Sequence, residues 1–562
     1  MFLPMTIKEA RRLGWDNFDV ILVTGDAYID SPFDGTAVIG KALHSRGYRV
    51  GIISQPDINS YFDITLLGEP LLFWGVSGGC VDSMVANYTS LKKKKRNDDT
   101  TPGGINNKRP DRAVIRYVNL IKQNFKNKKP IIIGGIEASL RRIAHYDYWS
   151  DSVRGSILAD SKADLLVYGE GERTILEIAD SIKNGSECRN IRGVCYLSQT
   201  LPNAYLELPS FEQVAVNKEA FLSMFDLFYK NNDPRNAKGI YQKHGNRYLV
   251  QNPPNYYLSG TELDEIHDLE FEYDAHPECL KHGKIKSLET IKFSLISHRG
   301  CYGECNFCAI SVHQGRTIRS RSKESIIKEA QKYTSIRDFK GNIFDVGGPT
   351  ANMYRNVCAV QQKAGSCKNK RCSTPERCEK MNIEHNSQIE LLRELRKIPG
   401  IKNIFIGSGL RYDLIVEDKQ FGDNYFHDIV KYHTGGQLKI APEHIADNVV
   451  DLMGKPKNKH LLKFVEKFKS LTAQIGKKQF LTYYFIAAHP GCSEFEMEIL
   501  RKFLDKQLKF KPEQIQVFNP TPSTYSAAMY WTGLNPKTRK KIFVEKELKR
   551  KDLQKSLISG KY

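Results

Sequence analysis

The sequence predicts an α/β protein in which an N-terminal doubly wound open sheet is followed by a partial (β/α)6 barrel. Two series of short apolar runs separated by amphipathic helical patterns lead to that fold class, together with a tight cysteine loop, GCYGECNFC, placed just after the first run of the second series. Strands alternating with helices argue for parallel sheets covered by helices. In such sheets ligands gather beyond the carboxyl ends of the strands. A chain of 562 residues also exceeds what one compact core accommodates and suits two domains with connections.

The first series occupies residues 1–215. DVILVTG, YRVGIIS, LLFWGVS, KPIIIGG and DLLVYGE read as strands, and GTAVIGKALHSRG is a representative helix between them. Lys92 to Arg96 and the following NDDTTPGGINNKRP form a charged, glycine-containing loop without core residues, expected to be a flexible connection or a lid. SLRRIAHYDYWSD combines Arg141 and Arg142 with Tyr146, Tyr148 and Trp149, a composition suited to stacking bases or closing over a pocket, and equally to loop packing. GEGERT at 169–174 has the look of a dinucleotide loop, but Glu170 and Glu172 oppose a pyrophosphate and suit a helix start themselves. Residues 216–285, with the NPPNYYLSG segment, are expected to be a polar connection, because consecutive prolines prevent regular structure.

The second series spans residues 286–530: IKFSLI, NIFDVGG, NIFIGSG, GQLKIAP, LTYYFIAA and QIQVFNP, with helical patterns between them. A cysteine-rich insertion at 358–378 follows the second run. Residues 531–562 read as a basic C-terminal tail.

Cys301, Cys305 and Cys308 supply three thiols within eight residues. Ferredoxin runs give four thiolates to a [4Fe-4S] cluster, so this loop leaves one iron open to a substrate or cofactor. Gly300 and Gly303 permit the tight reversal, and Arg299 with the loop amides can offset the negative charge of the thiolates. A zinc site is the alternative, although structural zinc takes four closed ligands and no fourth cysteine stands near the loop. Clustered cysteines in a long chain without a secretory segment argue for metal or reactivity over disulfides. Cys358, Cys367, Cys372 and Cys378 lie in a 21-residue polar, lysine-containing stretch that makes a poor helix or strand but a good metal-clasping loop, for a second cluster or a structural zinc. Cys80, Cys188, Cys195, Cys279 and Cys492 are scattered singly and suit small buried positions.

Strand ends in this series offer further candidates. Gly347 and Gly348 close the second run and allow close backbone approach. Ser408 and Arg411 follow the third, and Glu443 follows the fourth. A carboxylate-binding arginine and a ribose-binding polar group are thus available on one edge; the competing reading pairs Arg411 with Asp413.

The CxxxCxxC run with Phe307 before its last cysteine resembles the radical S-adenosylmethionine enzymes. The segments APEHIADNVVDLMGKP, FIAAHPGCSEFE and FNPTPSTYSAAMY resemble the methylthiotransferase branch. The phrases DSMVANYTSLKKKKRNDDTTPGG, KRPDRA, GGIEASLRRIAHYDYWSDSVR and FDVGGPTANMY resemble the YgiQ family from end to end. This resemblance implies that Cys301, Cys305 and Cys308 ligate a [4Fe-4S] cluster whose open iron binds S-adenosyl-L-methionine. It places Phe307 near the adenine and gives backbone carbonyls of the Gly347–Gly348 segment the methionine amino group. Pro349 and Thr350 replace the usual Gly-Glu ending there, and Asp345 is not an automatic substitute. The implied activity is generation of a 5'-deoxyadenosyl radical on an unidentified substrate, RNA or protein, with an electron donor such as flavodoxin or ferredoxin. Cobalamin-binding domains with the N-terminal layout precede many radical enzymes. Here the Asp-x-His-x-x-Gly signature is missing, since Asp26 is followed by Ala27 and Tyr28, so cobalamin is not expected.

With 84 Lys and Arg against 64 Asp and Glu, the net charge of +20 would attract RNA, while a general lysine bias gives the same total without such a partner. No apolar run approaches a membrane span and MFLPMTIKEARRLGWD lacks a signal-like core, so a cytoplasmic protein is expected. Two other function classes fit the cysteines: a non-catalytic iron-sulfur electron carrier, and a basic zinc-supported RNA-binding module.

Overall fold

The structure is a computed structural model that describes all residues except 127–128, 513–514 and 560–562. The chain forms two compact units, one of Met1–Leu258 with Glu265–Lys292, the other of Ser259–Asp264 with Phe293–Tyr562.

The first unit is built on a nine-stranded sheet: β1 Val20–Thr24, β2 Val50–Ser54, β3 Phe73–Ser77, β4 Ile131–Gly134, β5 Leu165–Val167, β6 Val194–Ser198, β7 Leu206–Leu208, β8 Ile240–His244 and β9 Arg247–Gln251. Their order is β7-β8-β9-β6-β5-β4-β3-β1-β2. The first five predicted runs form its parallel part, with β1 between β2 and β3. β1 is buried along its whole length, as its unbroken apolar run requires of a strand covered on both faces. Asp34 caps the helix Gly35–Ser45 by accepting from the Thr36 and Ala37 amides, and Ala37, Val38 and Leu43 face the core.

Two expectations for this unit are corrected, and one open choice is decided. Residues 216–285 are not a simple connection: Lys218–Lys230 is a helix burying Phe221, Leu222, Phe225 and Phe228. β8 and β9 form an antiparallel hairpin that extends the sheet. The apolar spacing in KEAFLSMFDLFYK and the two-residue Gly245-Asn246 turn produce these elements, and the consecutive prolines fall just after β9. The Arg-Tyr segment is packed inside rather than open to bases. Arg142 is fully buried, its guanidinium over the rings of Tyr168 and Phe228, and Arg141 is paired with Asp82 and Asp147 at 2.8 and 3.0 Å. The basic loop is tied down: Tyr88 bridges Lys94, Asn97 bridges Ile105, and buried Asp98 pairs with buried Arg109.

In the second unit the six predicted runs supply six strand positions in chain order, joined by parallel pairings. β10 Ser294–Ile296 lies beside β12 Asp345–Gly347, and β11 Asn342–Ile343 beside β13 Asn403–Ile404. Leu410 bridges to β14 Gln437–Glu443, followed by β15 Phe480–Ala487 and β16 Gln516–Val517. Helices Lys323–Thr334, Asn386–Arg396, Leu461–Ile475 and Glu494–Phe503 separate successive strands. This is the architecture of a partial (β/α)6 barrel. The region expected to be a basic tail contains the helix Leu548–Ser559, which buries Lys551, Gln554 and Ile558. Its lysine donates to the Tyr530 hydroxyl at 2.7 Å, and Gln554 accepts from the Ala488 amide at 2.9 Å, so polar partners allow a charged helix to pack beside the end of β15. Among the described residues no helix is long and apolar enough to cross a membrane.

Candidate functional site

The cysteine loop leaves β10 through a short ladder, His298–Arg299 against Arg319–Ser320. Gly300 then turns with φ +86°, and a Cβ there would stand 2.2 Å from the Thr317 carbonyl oxygen, so only glycine fits. The Cys301 amide donates to the Gly315 carbonyl at 3.1 Å and the Cys308 amide to the Cys305 carbonyl at 3.0 Å. Between them Asn306 anchors the loop: its amide donates to the Met453 carbonyl, its side chain to that of Leu452, and its own carbonyl accepts from Ser526. The loop is therefore held from two later segments of the same unit.

All three cysteines are half-buried free thiols. Burial pushes the Cys305 thiol up against the opposing pull of Lys455 and Arg411, and burial followed by the neighbouring Cys305 takes Cys308 up to about 12. At neutral pH the metal-free Cys305 and Cys308 thiols hold their protons, so metal binding at these two must release them. Among the described residues no three His, Cys, Asp or Glu side chains converge as a single ion requires. A cubane makes a different demand, because each thiolate binds its own iron and the sulfurs stand further apart than around one zinc. Three soft thiols on one tight loop flanked by two cations fit that group.

The other predicted residues assemble along the same strand edge. Arg411 is buried, with Nε and Nη2 donating to the Asp413 carboxylate at 2.8 and 2.5 Å. Its third nitrogen, Nη1, lies against Gly303: a Cβ at that glycine would be 2.8 Å from Nη1 and 3.3 Å from Cys301 Sγ. The Asp413 pair of the competing reading therefore coexists with a position beside the cysteine loop. Glu443 is buried at the end of β14 with φ +67°, and its carboxyl, raised by burial, is opposed by Lys455 Nζ at 3.5 Å. Lys455 also donates to the Ala441 carbonyl.

Ser408 donates its hydroxyl to Asp345, whose carboxylate also accepts from the Gly407 and Ser408 amides at 2.8 and 3.1 Å. Gly347 differs from expectation: its carbonyl already accepts from the Ser297 amide at 2.7 Å and the Ser297 hydroxyl at 3.1 Å, which occupies both lone pairs. Gly348 packs on His298, where a Cβ would meet the carbonyl oxygen at 2.6 Å. Phe307 is half-buried and meets the buried His489 ring edge-on at 6.3 Å.

Sequence reasoning missed Lys455, the structural work of Asp345, and Thr350, whose hydroxyl stands 3.7 Å from Cys301 Sγ. A lysine at the end of an apolar helix, in LMGKPK, was the one available signal for the first. The aspartate two residues before Gly347 signalled the second.

Comparison with known proteins agrees with this architecture. The family model described as Radical SAM N-terminal matches residues 2–294, ending just before the cysteine loop, and a domain of unknown function, DUF3362, matches 513–561. A UPF0313 protein of Fusobacterium nucleatum is 51% identical over 561 residues, covering 100% of this chain and 99% of its own. One from Thermotoga petrophila is 49% identical, covering 98% and 97%, and one from Clostridium botulinum 46%, covering 99% and 86%. Among solved structures, the radical S-adenosylmethionine methyltransferase TsrM of Kitasatospora setae, with cobalamin and a [4Fe-4S] cluster bound, aligns with a TM-score of 0.51 at 12% identity, covering 90% of this chain and 76% of that one. The cobalamin-dependent radical enzyme OxsB aligns with a TM-score of 0.51 at 12% identity, covering 91% and 55%. These two likenesses are of fold. The full-length similarity and the family model together show that the chain belongs to the UPF0313 family of radical S-adenosylmethionine proteins, as an enzyme whose cofactors are a [4Fe-4S] cluster and S-adenosyl-L-methionine.

Proposed function

We propose that Cys301, Cys305 and Cys308 hold the cluster, and that the edge formed by Arg411, Ser408, Glu443, Gly348 and Phe307 receives S-adenosyl-L-methionine. When bound together, the two cofactors supply one-electron cleavage of a carbon-sulfur bond and a 5'-deoxyadenosyl radical, with a reduced flavodoxin or ferredoxin as electron source. The observation that carries this reading is Arg411: two of its nitrogens are locked on Asp413 while the third faces Gly303 beside Cys301 Sγ. A guanidinium oriented in advance by a buried carboxylate is suited to capturing another carboxylate next to the cluster loop.

The remaining residues bind and orient. Asp345 fixes Ser408, presenting it for a ribose contact. With the Gly347 carbonyl engaged by Ser297, the methionine amino group falls to the carbonyls of Gly348 and Pro349. Phe307 supplies an apolar face for the adenine, and Lys455 with Arg411 offsets thiolate charge. The substrate we propose is a macromolecule, RNA or protein; the net charge of +20 supports an RNA encounter.

Anaerobic reconstitution with iron and sulfide, followed by reduction with S-adenosyl-L-methionine present, tests the reading. Reductant-dependent 5'-deoxyadenosine is expected, and Cys305→Ala should abolish it together with the loop cluster. Iron without cofactor cleavage would favour an electron carrier, and zinc alone a zinc-supported RNA-binding module. Comparing modified RNA and protein from cells with and without the chain identifies the substrate class.

A further inference from the structure

The insertion that follows the second barrel strand is a second place where thiols gather. Cys358 ends a two-residue strand paired antiparallel with Met381–Asn382, directly opposite Met381. The Met381 amide donates to the Cys378 carbonyl at 3.0 Å, and the Cys378 amide to the Cys372 carbonyl at 2.8 Å. Backbone bonds thus tie three cysteines distant in sequence into one knot. Cys358 is buried in a cluster with Tyr302, Met353 and Met381, and Cys372 packs on the same cluster.

The surroundings suit an anionic metal centre. Gln361 Nε2 donates to Cys372 Sγ at 3.3 Å, the kind of N–H···S contact that thiolate ligands accept. Arg316 donates to the Cys367 carbonyl at 3.1 Å and is paired with the buried Glu304 carboxylate at 3.0 Å. Arg371 is anchored one residue before Cys372 by donating to the Glu304 carbonyl and the Asn306 side chain at 3.1 and 2.6 Å. Four thiolates on a dicationic cubane leave net negative charge, which Arg371 can help offset.

Zinc would ask for a closed tetrahedron, with sulfurs all within about 2.3 Å of one ion, and among the described residues no three ligand side chains converge in that way. All four insertion cysteines are free thiols. We propose that Cys358, Cys367, Cys372 and Cys378 bind a second [4Fe-4S] cluster, fully ligated by the protein and separate from the open one at the CxxxCxxC loop. Because Cys301 packs on the same Tyr302–Met353 cluster as Cys358 and Cys372, the two centres share one apolar wall.

The test is iron and sulfide analysis with EPR of the full chain, reconstituted anaerobically. Wild type should hold roughly eight irons, four for each cubane. A Cys301→Ala, Cys305→Ala, Cys308→Ala variant should keep half of them, with an EPR signal that S-adenosyl-L-methionine does not alter. Cys358→Ala, Cys372→Ala, Cys378→Ala should also keep half, with a signal that the cofactor does alter. Should that second variant fail to fold, the wild-type protein decides: titration with S-adenosyl-L-methionine should change one of two reduced-cluster signals and leave the other. Saturation of wild type at four irons, loss of all iron from the loop variant, or one zinc in place of the second set of irons would overturn the proposal. These outcomes are independent of 5'-deoxyadenosine formation and so separate from failure of the radical reading.

Discussion

Replacing Arg411 with Met keeps the length of the side chain and deletes the cation on which the cofactor-site reading turns. Arg411 and Asp413 are 9% and 6% exposed and share two short hydrogen bonds, so the substitution strands a carboxylate that water cannot reach. Breaking a buried pair from one side costs about 3–5 kcal/mol, whereas replacing both partners by apolar groups is often neutral. At about 1.4 kcal/mol per tenfold, hydrogen exchange at pH 7 should show amides of residues 403–417 and 437–443 losing roughly two to four decades of protection in metal-free protein. Arg411→Met with Asp413→Leu should regain most of it.

The pH dependence has a defined sign. In wild type Arg411 holds Asp413 below the ordinary carboxylate value despite burial. Its stabilisation is therefore present above about pH 4, the unfolded value, and is lost as pH falls through the lower folded value. Without Arg411, burial raises the Asp413 carboxyl instead, so the variant's deficit should shrink as pH falls toward about 4. Protection within tenfold of wild type at pH 7, or a double variant no better than the single one, would refute the argument.

Gly300→Ala places a Cβ against the Thr317 carbonyl at a left-handed position, and should remove iron from the loop while the nine-stranded sheet of the first unit keeps its exchange protection. Asp345→Asn turns one acceptor facing Ser408 into a donor, and the loss of a charge-assisted bond of about 1.5 kcal/mol should weaken S-adenosyl-L-methionine binding roughly tenfold by calorimetry. Unchanged affinity would remove Ser408 from the cofactor edge. Lys455→Met deletes a cation acting on Cys305, and an EPR-monitored redox titration should find a more negative midpoint potential for the loop cluster. An unshifted potential would leave Arg411 as the operative charge.

The six barrel strands were legible because each is a short apolar run bounded by Gly, Pro or charge, and strand pairing in a parallel sheet asks for little more. The cysteine loop stood out as a candidate cluster site from its spacing alone. The hairpin Ile240–Gln251 was written in its Gly-Asn turn but hidden by the polar, proline-containing sequence around it. The C-terminal helix was hidden for another reason: its buried lysine and glutamine are stabilised by Tyr530, Ala488 and Cys492, partners that no local pattern announces. Arg141 and Arg142 show the same limit: the local sequence suits an open and a packed segment equally, and Asp82, Tyr168 and Phe228, which help bury them, lie far away in the chain.

The candidate site was least legible where its residues act on one another rather than on a ligand. Asp413 orients Arg411, Asp345 orients Ser408, Ser297 engages Gly347, and Lys455 opposes Glu443 from twelve residues away. Each of these partners lies outside the recognisable motif. A group aimed before its ligand arrives loses less freedom on binding, and where a radical is generated the same fixation limits which hydrogen is reached. Glu443 lies at the one register shift recorded between β14 and β15. Strained backbone at a strand end persists where surrounding contacts over-determine it, and the buried Lys455 contacts to Glu443 and the Ala441 carbonyl are of that kind. Relaxing that corner by Glu443→Gly would relieve the φ but leave Lys455 without its carboxylate partner, held by the Ala441 carbonyl, so the strain and the cation acting on Cys305 are parts of one arrangement.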